Sequence, residues 1–170
     1  MSSVSFDPIR VLDVLDSHGV RFVLIGGFAG RLWGSNLITG DLEICYARDG
    51  KNHAALAAAL RDLGARLRDA ATKVPLLPDA KTLESDDDLV FETRAGILQC
   101  VATPAGSGGF LDLIRGATEM TVDSTPIRVA ALEDLIRMKR LTGRPQDLVE
   151  LEILGALREE TERARREARA

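Results

Sequence analysis

The spacing of apolar residues in the first 64 positions predicts alternating strands and helices. Asp7-Pro8 is a helix-start signal, and the apolar residues that follow it at intervals of three predict a helix that ends near 17–19. Period-two and helical spacing then predict two strands and two helices, namely strands 22–25 and 41–46 and helices 27–33 and 53–63. This order is typical of a mixed α/β layer.

The pattern is interrupted in the middle of the chain. Residues 71–88 contain two prolines and a run of three Asp residues without periodicity, so we expect an irregular loop with at most one helical turn. The β-prone runs 89–93 and 97–103 then predict a hairpin that turns at about 94–96.

The last third of the chain returns to regular patterns. The predicted elements are a helix at 110–114, a hairpin formed by strands 118–122 and 127–130, a helix at 131–141 and a final helix from Pro145. The tail 158–170 is almost wholly charged or Ala, and we expect it either to fray or to form a solvated helix. We therefore divide the chain into one domain at 1–157 and this tail.

Composition and charge exclude some classes of function. The chain is 45% apolar and 28% charged, with a net charge of −4 and a pI near 5.3. This balance argues against a protein that coats nucleic acid electrostatically, although it leaves room for a local basic patch. No apolar run approaches the roughly 20 residues that span a bilayer, and the first residues lack a charged-then-apolar leader, so we expect a cytoplasmic protein without a membrane partner.

The stretch 25–44 carries the strongest chemical signal. It reads Ile25-Gly26-Gly27, thirteen intervening residues, and then Asp41-Leu42-Glu43-Ile44. Carboxylates one residue apart on a strand project from the same face and can hold a divalent cation. A Gly-Gly turn between an apolar strand and a helix lets backbone N–H groups approach a phosphate. The alternative is structural: a tight turn, and acids on a solvent-facing edge strand.

This stretch resembles the signature of the nucleotidyltransferase superfamily, which has the fold of DNA polymerase β. Within it, the chain is most similar to small bacterial stand-alone proteins related to the AbiE-type toxins. The similar stretches are 22–29, 34–35, 39–44 and 132–139, and the resemblance runs from about Val20 to Leu154. It implies an α/β nucleotidyltransferase fold with a short mixed β-sheet, flanking helices and a helical C-terminal part.

The resemblance also implies an activity. It is Mg²⁺-dependent transfer of a nucleotidyl group from a nucleoside triphosphate to an RNA or protein acceptor, with Asp41 and Glu43 as catalytic metal ligands. A toxin-like role would add a cognate antitoxin protein as partner. An antibiotic-modifying or sugar-nucleotide transferase would share these residues but use a deep small-molecule pocket.

The same resemblance assigns further residues to the nucleotide. Gly26, Gly27, Gly34 and Ser35 would surround the triphosphate, although an ordinary helix end explains Gly34 equally well.

A late helix would supply the catalytic cation. Lys139 would reach the phosphates, and Asp147 would orient Lys139; the alternative is a solvated helical face. Arg137, Arg140 and Arg144 surround Lys139 in the sequence and predict a basic patch.

One position departs from the family pattern. The family places a third carboxylate on a later strand, and Gln99 stands there in this chain. An amide is a poor Mg²⁺ ligand and cannot act as a general base, which leaves open a non-catalytic relative that binds a nucleotide or a partner. If the hairpin turned at Ala95-Gly96, Glu92 would lie opposite Gln99 and could replace the missing acid.

The two cysteines are expected to be reduced and buried. Period-two counting places Cys45 on the face of Asp41 and Glu43. Cys100 should point to the other face if its neighbour Gln99 faces the site.

Overall fold

The computed structural model describes residues 4–68 and 77–170, which form strands and helices in nearly the predicted order. The strands are β1 (Phe22–Ile25), β2 (Asp41–Tyr46), β3 (Arg66–Leu67), β4 (Leu89–Thr93), β5 (Gly96–Val101), β6 (Thr118–Val122) and β7 (Thr125–Val129). The helices are α1 (Pro8–Ser17), α2 (Gly26–Trp33), α3 (Gly50–Asp62), α4 (Phe110–Gly116), α5 (Leu132–Thr142) and α6 (Pro145–Arg169), with a 3-10 turn at Thr82–Glu84.

All of these strands belong to one mixed sheet with the order β3-β4-β5-β2-β1-β7-β6. The central strand β2 pairs in parallel with β5 and antiparallel with β1, and β1 pairs in parallel with β7. The mixed α/β fold predicted from the sequence is therefore confirmed.

The two sides of β2 have different roles. Leu42 and Ile44 are fully buried in the hydrophobic core, which also contains all four residues of β1. Asp41 and Glu43 alternate with them and are only partly buried. Over residues 41–44, strand alternation thus gives β2 one apolar face in the core and one polar face that is only partly buried.

Local capping explains the helix boundaries. The Asp7 side chain accepts a hydrogen bond from the Arg10 N–H at the start of α1, as predicted. Asp49 does the same for the Asn52 N–H, so α3 begins at Gly50, before the predicted 53.

The hairpin between β4 and β5 turns one residue earlier than Ala95-Gly96, the turn that would place Glu92 opposite Gln99. Thr93 pairs with Gly96, so Arg94 and Ala95 form the turn. The Thr93 hydroxyl closes this turn by accepting from the Ala95 N–H and donating to the Gly96 carbonyl.

The middle and the end of the chain follow the predictions in part. The 3-10 turn is the only helical turn that the structure describes within the predicted loop, of which 71–76 lie outside the described residues. Helix α6 continues through the charged tail to Arg169, so the tail is helical and its side chains are largely exposed. Among the described residues, no helix is both long enough and apolar enough to cross a membrane.

The cysteines lie as predicted. Both are buried and free, and the pairing of Ile44 with Cys100 and of Cys45 with Val101 places their side chains on opposite faces of the sheet. Burial raises the pKa of the Cys45 thiol to about 12, against the smaller lowering effect of the Arg48 charge.

Candidate active site

The carboxylate of Glu43 packs against the first residue of α2. Ile25 pairs with Glu43 across β1 and β2, and Gly26 follows with a φ of +73°. A Cβ built on Gly26 would lie 3.0 Å from the Glu43 Cβ and still closer to its carboxylate oxygen. Both the backbone angle and the space therefore require glycine at this position.

Gly27, the second glycine, packs against Thr39, which in turn contacts Asp41. A Cβ on Gly27 would lie 3.1 Å from the hydroxyl oxygen of Thr39. That hydroxyl lies 3.2 Å from Asp41 Oδ1, to which it donates a hydrogen bond, and thereby helps to orient the Asp41 side chain. Sequence reasoning assigned no role to Thr39, although it lies just before the acidic motif.

Gln99 faces the two acids, as expected for the position of the third carboxylate. It is the partner of Glu43 in the parallel β2–β5 ladder, which puts both side chains on the same face. Its Nε2 donates to Asp41 Oδ2 at 2.5 Å. One oxygen of the acid pair is thus already bound by an amide.

Glu92 does not replace the missing acid, and the conditional alternative is wrong. It pairs with Ile97, whereas Val90 is the residue opposite Gln99. Its carboxylate binds Arg68 at 2.7 Å, and 57% of the Glu92 side chain is exposed. Because the turn lies at residues 94–95, Glu92 is two pairs along the ladder from Gln99.

Helices α5 and α6 bring Lys139 to the same cleft. Lys139 Nζ lies 2.8 Å from Glu150 Oε2 and 3.3 Å from Asp147 Oδ1. Asp147 is completely buried and also accepts from the Arg144 backbone N–H at 3.0 Å and from Arg144 Nε at 3.1 Å. Asp147 therefore joins the start of α6 to the Lys139 ammonium group.

The ionisation of this cluster follows from its contacts. Burial alone would raise the pKa of Asp147, but hydrogen bonds from Thr142 and Arg144 and the charge of Lys139 hold it well below its usual value. Burial alone would lower the pKa of Lys139, but its hydrogen bond and ion pair with Glu150, followed by Asp147, raise it. Lys139 is therefore a protonated cation at neutral pH.

Glu150 is a cleft residue that sequence reasoning missed. The available signal is the spacing of Asp147, Glu150 and Leu154, which places two acids on the buried face of an amphipathic helix. Acids on a buried face need partners, and here the shared partner is Lys139.

Four other predicted residues, Gly34, Ser35, Arg137 and Arg140, lie outside the cleft wall. Gly34 ends α2 with a φ of +118°, and the buried Ser35 accepts a hydrogen bond from the Leu37 N–H. Neither lines the cleft. Arg137 pairs with Asp112 and Asp134, so of the predicted basic patch only Arg144 and Lys139 reach the cleft wall.

The cleft itself has a volume of about 610 Å³, in the range of small-molecule sites. Its wall contains the charged residues Asp41, Glu43, Lys139, Arg144, Asp147 and Glu150. Four of these are acids and two are bases, so the wall is acidic by two charges when all are ionised. Burial raises the pKa of Glu43, Lys139 opposes this, and the nearby Asp41 charge adds to it.

The donor set fits a metal ion that is held only in part by the protein. Within 4–68 and 77–170, no three His, Cys, Asp or Glu residues are grouped to hold a metal ion. The strand face instead offers Asp41 and Glu43, with the amide of Gln99 beside them. Mg²⁺ commonly takes one or two carboxylates and completes its shell with phosphate oxygens and water. The pair therefore suits Mg²⁺ bound together with a triphosphate.

Comparison with known proteins identifies structures with a similar fold. No protein-family model matches the chain, and no curated protein matches it by sequence. The lincosamide antibiotic adenylyltransferase LnuA, solved with lincomycin, is similar in structure, with a TM-score of 0.60, 14% identity and coverage of 90% of this chain and 99% of that one. ANT(2")-Ia in complex with adenylyl-2"-tobramycin gives a TM-score of 0.56, 17% identity and coverage of 95% of each chain.

These similarities confirm the nucleotidyltransferase fold that the sequence resemblance implied. At such low sequence identity, these similarities show the fold but not the activity. The narrower relationship to AbiE-type toxins stays a prediction.

Proposed function

We propose that this chain transfers a nucleotidyl group from a nucleoside triphosphate to the hydroxyl of an acceptor. The observation that carries the proposal is the convergence of the acid pair, Gly27 in the first turn of α2, and Lys139 on one cleft. These groups come from three separate elements, β2, α2 and α5. A merely structural role would not require them to meet.

The cleft offers a seat for phosphates on the side of α2. The residue before this helix, Ile25, provides no side-chain hydrogen bond to the first turn, so backbone N–H groups at Gly26 and Gly27 can bind an anion. Lys139 and Arg144 face the same space and add positive charge. The groups of this chain would orient the triphosphate by these contacts.

Asp41 and Glu43 would hold Mg²⁺ when the nucleotide binds. Bound there, Mg²⁺ would neutralise triphosphate charge and stabilise the charge that develops during in-line displacement. The acidic balance of the wall supports this assignment, because a bare triphosphate would be repelled by the two unpaired carboxylates. Thr39 would keep Asp41 oriented for that contact.

The acceptor is proposed by class only. The proteins of similar structure are described with an antibiotic or an adenylylated antibiotic, which makes a small-molecule hydroxyl a candidate. The sequence resemblance adds RNA and protein acceptors, with a toxin-like role and a cognate antitoxin. The cleft volume of about 610 Å³ admits a nucleotide with any of these acceptors at its edge.

A second candidate function is nucleotide binding without turnover. The hydrogen bond from Gln99 to Asp41 favours it, because an amide occupies the place of a carboxylate and one Asp41 oxygen is engaged. The two candidates differ in whether the bound triphosphate is consumed.

The test measures pyrophosphate release and label transfer from α-labelled triphosphates with Mg²⁺, using small hydroxyl compounds, RNA and protein as acceptors. We expect transfer by the wild type and a loss of about 100-fold or more in Asp41→Asn. Glu92→Gln is the matched control, since it removes an acid of the same sheet that binds Arg68. Nucleotide binding with no transfer, restored by Gln99→Asp, would establish the second candidate instead.

A further inference from the structure

A second cavity lies beside Glu43. It has a volume of about 150 Å³ and shares three wall residues with the cleft, namely Glu43, Lys139 and Arg144. Gly27 lines the cleft, whereas its neighbour Gly26 lines the second cavity. The two spaces therefore meet at the residues proposed to bind metal and phosphate.

The wall of this cavity is mostly apolar. Its uncharged residues include Ile25, Val101, Pro104, Leu135 and Met138. A space of this size accepts a group of about six non-hydrogen atoms, such as one ring or a short side chain. It is too small for a whole nucleotide but suits a hydroxyl-bearing group that reaches in from a larger acceptor.

Asp88 also lines this cavity, and its carboxylate has no function in the site described above. It immediately precedes β4, and Val90, two residues later, pairs with Gln99. Residue parity thus places Asp88 on the face that carries Gln99 and Glu43. Burial and the charges of Lys139 and Asp41 have larger effects on the pKa of Glu43, and the charge of Asp88 raises it further. This effect agrees with the position of Asp88 and Glu43 on one cavity.

We propose that the second cavity receives the hydroxyl-bearing group of the acceptor and that Asp88 accepts its proton, in place of the carboxylate missing at Gln99. The inference rests on the proposed nucleotidyl transfer. The acceptor oxygen forms a bond to the α-phosphorus, its proton passes to the Asp88 carboxylate, and the bond from the α-phosphorus to the bridging oxygen breaks, releasing pyrophosphate.

The chemical class of acceptor follows from the lining. Apolar contacts dominate, and the basic groups that line the cavity, Lys139 and Arg144, already face acids. The cavity therefore suits a hydroxyl on one ring or short chain.

Two substitutions separate catalysis from acceptor binding. Asp88→Asn should lower kcat by about 100-fold or more, as loss of a general base does, while Mg²⁺-nucleotide affinity stays within about twofold. Ala105→Trp should fill the cavity from its exposed edge and raise the acceptor KM several-fold with little change in nucleotide affinity. Asp87→Asn is the control, because it removes the same charge one residue away, where the side chain binds Ser85.

The outcomes distinguish the two proposals. Transfer by the wild type and by Asp87→Asn, with the kcat loss confined to Asp88→Asn, supports the inference. Equal kcat in Asp88→Asn and Asp87→Asn, or an unchanged acceptor KM in Ala105→Trp, overturns it while the proposed function stands. No transfer by the wild type with any acceptor overturns both.

Discussion

Replacing Asp147 by Asn tests the buried ion cluster at the start of α6. The substitution keeps the size of the side chain and removes its charge. An Asn oxygen can still accept from the Arg144 backbone N–H, so the helix cap survives. What is lost is the charge that faces Lys139 and the Arg144 guanidinium.

The expected cost follows from these contacts. Removing one partner of a buried ion pair typically costs about 3–5 kcal/mol, because the other charge is left without compensation. Lys139 here retains Glu150 at 2.8 Å, so we expect about 2–3 kcal/mol for Asp147→Asn. Asp147→Ala also removes the cap and should cost about 1 kcal/mol more.

The cost should depend on pH in a defined direction. The pKa of Asp147 is lower in the folded than in the unfolded protein, so its contribution is fully present above the unfolded value of about 3.9 and declines as the pH falls below it. The difference in free energy of unfolding between the wild type and Asp147→Asn should therefore be constant from pH 5 to 7 and shrink by about 1 kcal/mol at pH 3.

Urea denaturation at a series of pH values measures this difference. Asp16→Asn is the control, since Asp16 is exposed on α1, and it should change the stability by less than about 0.5 kcal/mol. A cost below about 1 kcal/mol at pH 7, or a cost that does not decline in acid, would refute the assignment of the cluster.

Two further predictions concern the glycine turn and the thiols. Gly26→Ala should lower Mg²⁺-nucleotide affinity at least about tenfold by calorimetry, whereas Gly19→Ala, also at positive φ but with no atom within 4 Å of the new Cβ, should leave it unchanged and lower only stability, by about 1–2 kcal/mol. Equal affinities in the two variants would contradict the packing of Glu43 on Gly26. Cys45 and Cys100 should react with a thiol reagent only after unfolding, because both are buried and burial raises the pKa of each thiol; rapid reaction in the native protein would contradict this.

Much of the sheet and its acid pair follows from local patterns. The apolar run of β1 and the alternation along β2 specify two central strands and the face that Asp41 and Glu43 share. The two-residue strand β3 carries no usable period, and its pairing with β4 is decided by tertiary contact.

Register and charge pairing depend on information that is not local. Glu92 lies away from the acids because Thr93 closes a turn one residue earlier, which no composition rule determines. Glu150 was not predicted because an acid on a helix is normally assigned to the solvent-facing side. Its partner Lys139 lies on another helix and is known only from the fold. Asp88 lies in an acidic run that is typical of a loop. Its position beside the second cavity is known only from the fold.

A structure determined with Mg²⁺ and a non-hydrolysable nucleoside triphosphate tests the central claim most directly. The account predicts one metal ion bound by Asp41 and Glu43, with phosphate oxygens against the N–H groups of Gly26 and Gly27 and within reach of Lys139. A triphosphate bound elsewhere on the protein, or one bound in the cleft without metal at the two acids, would contradict it.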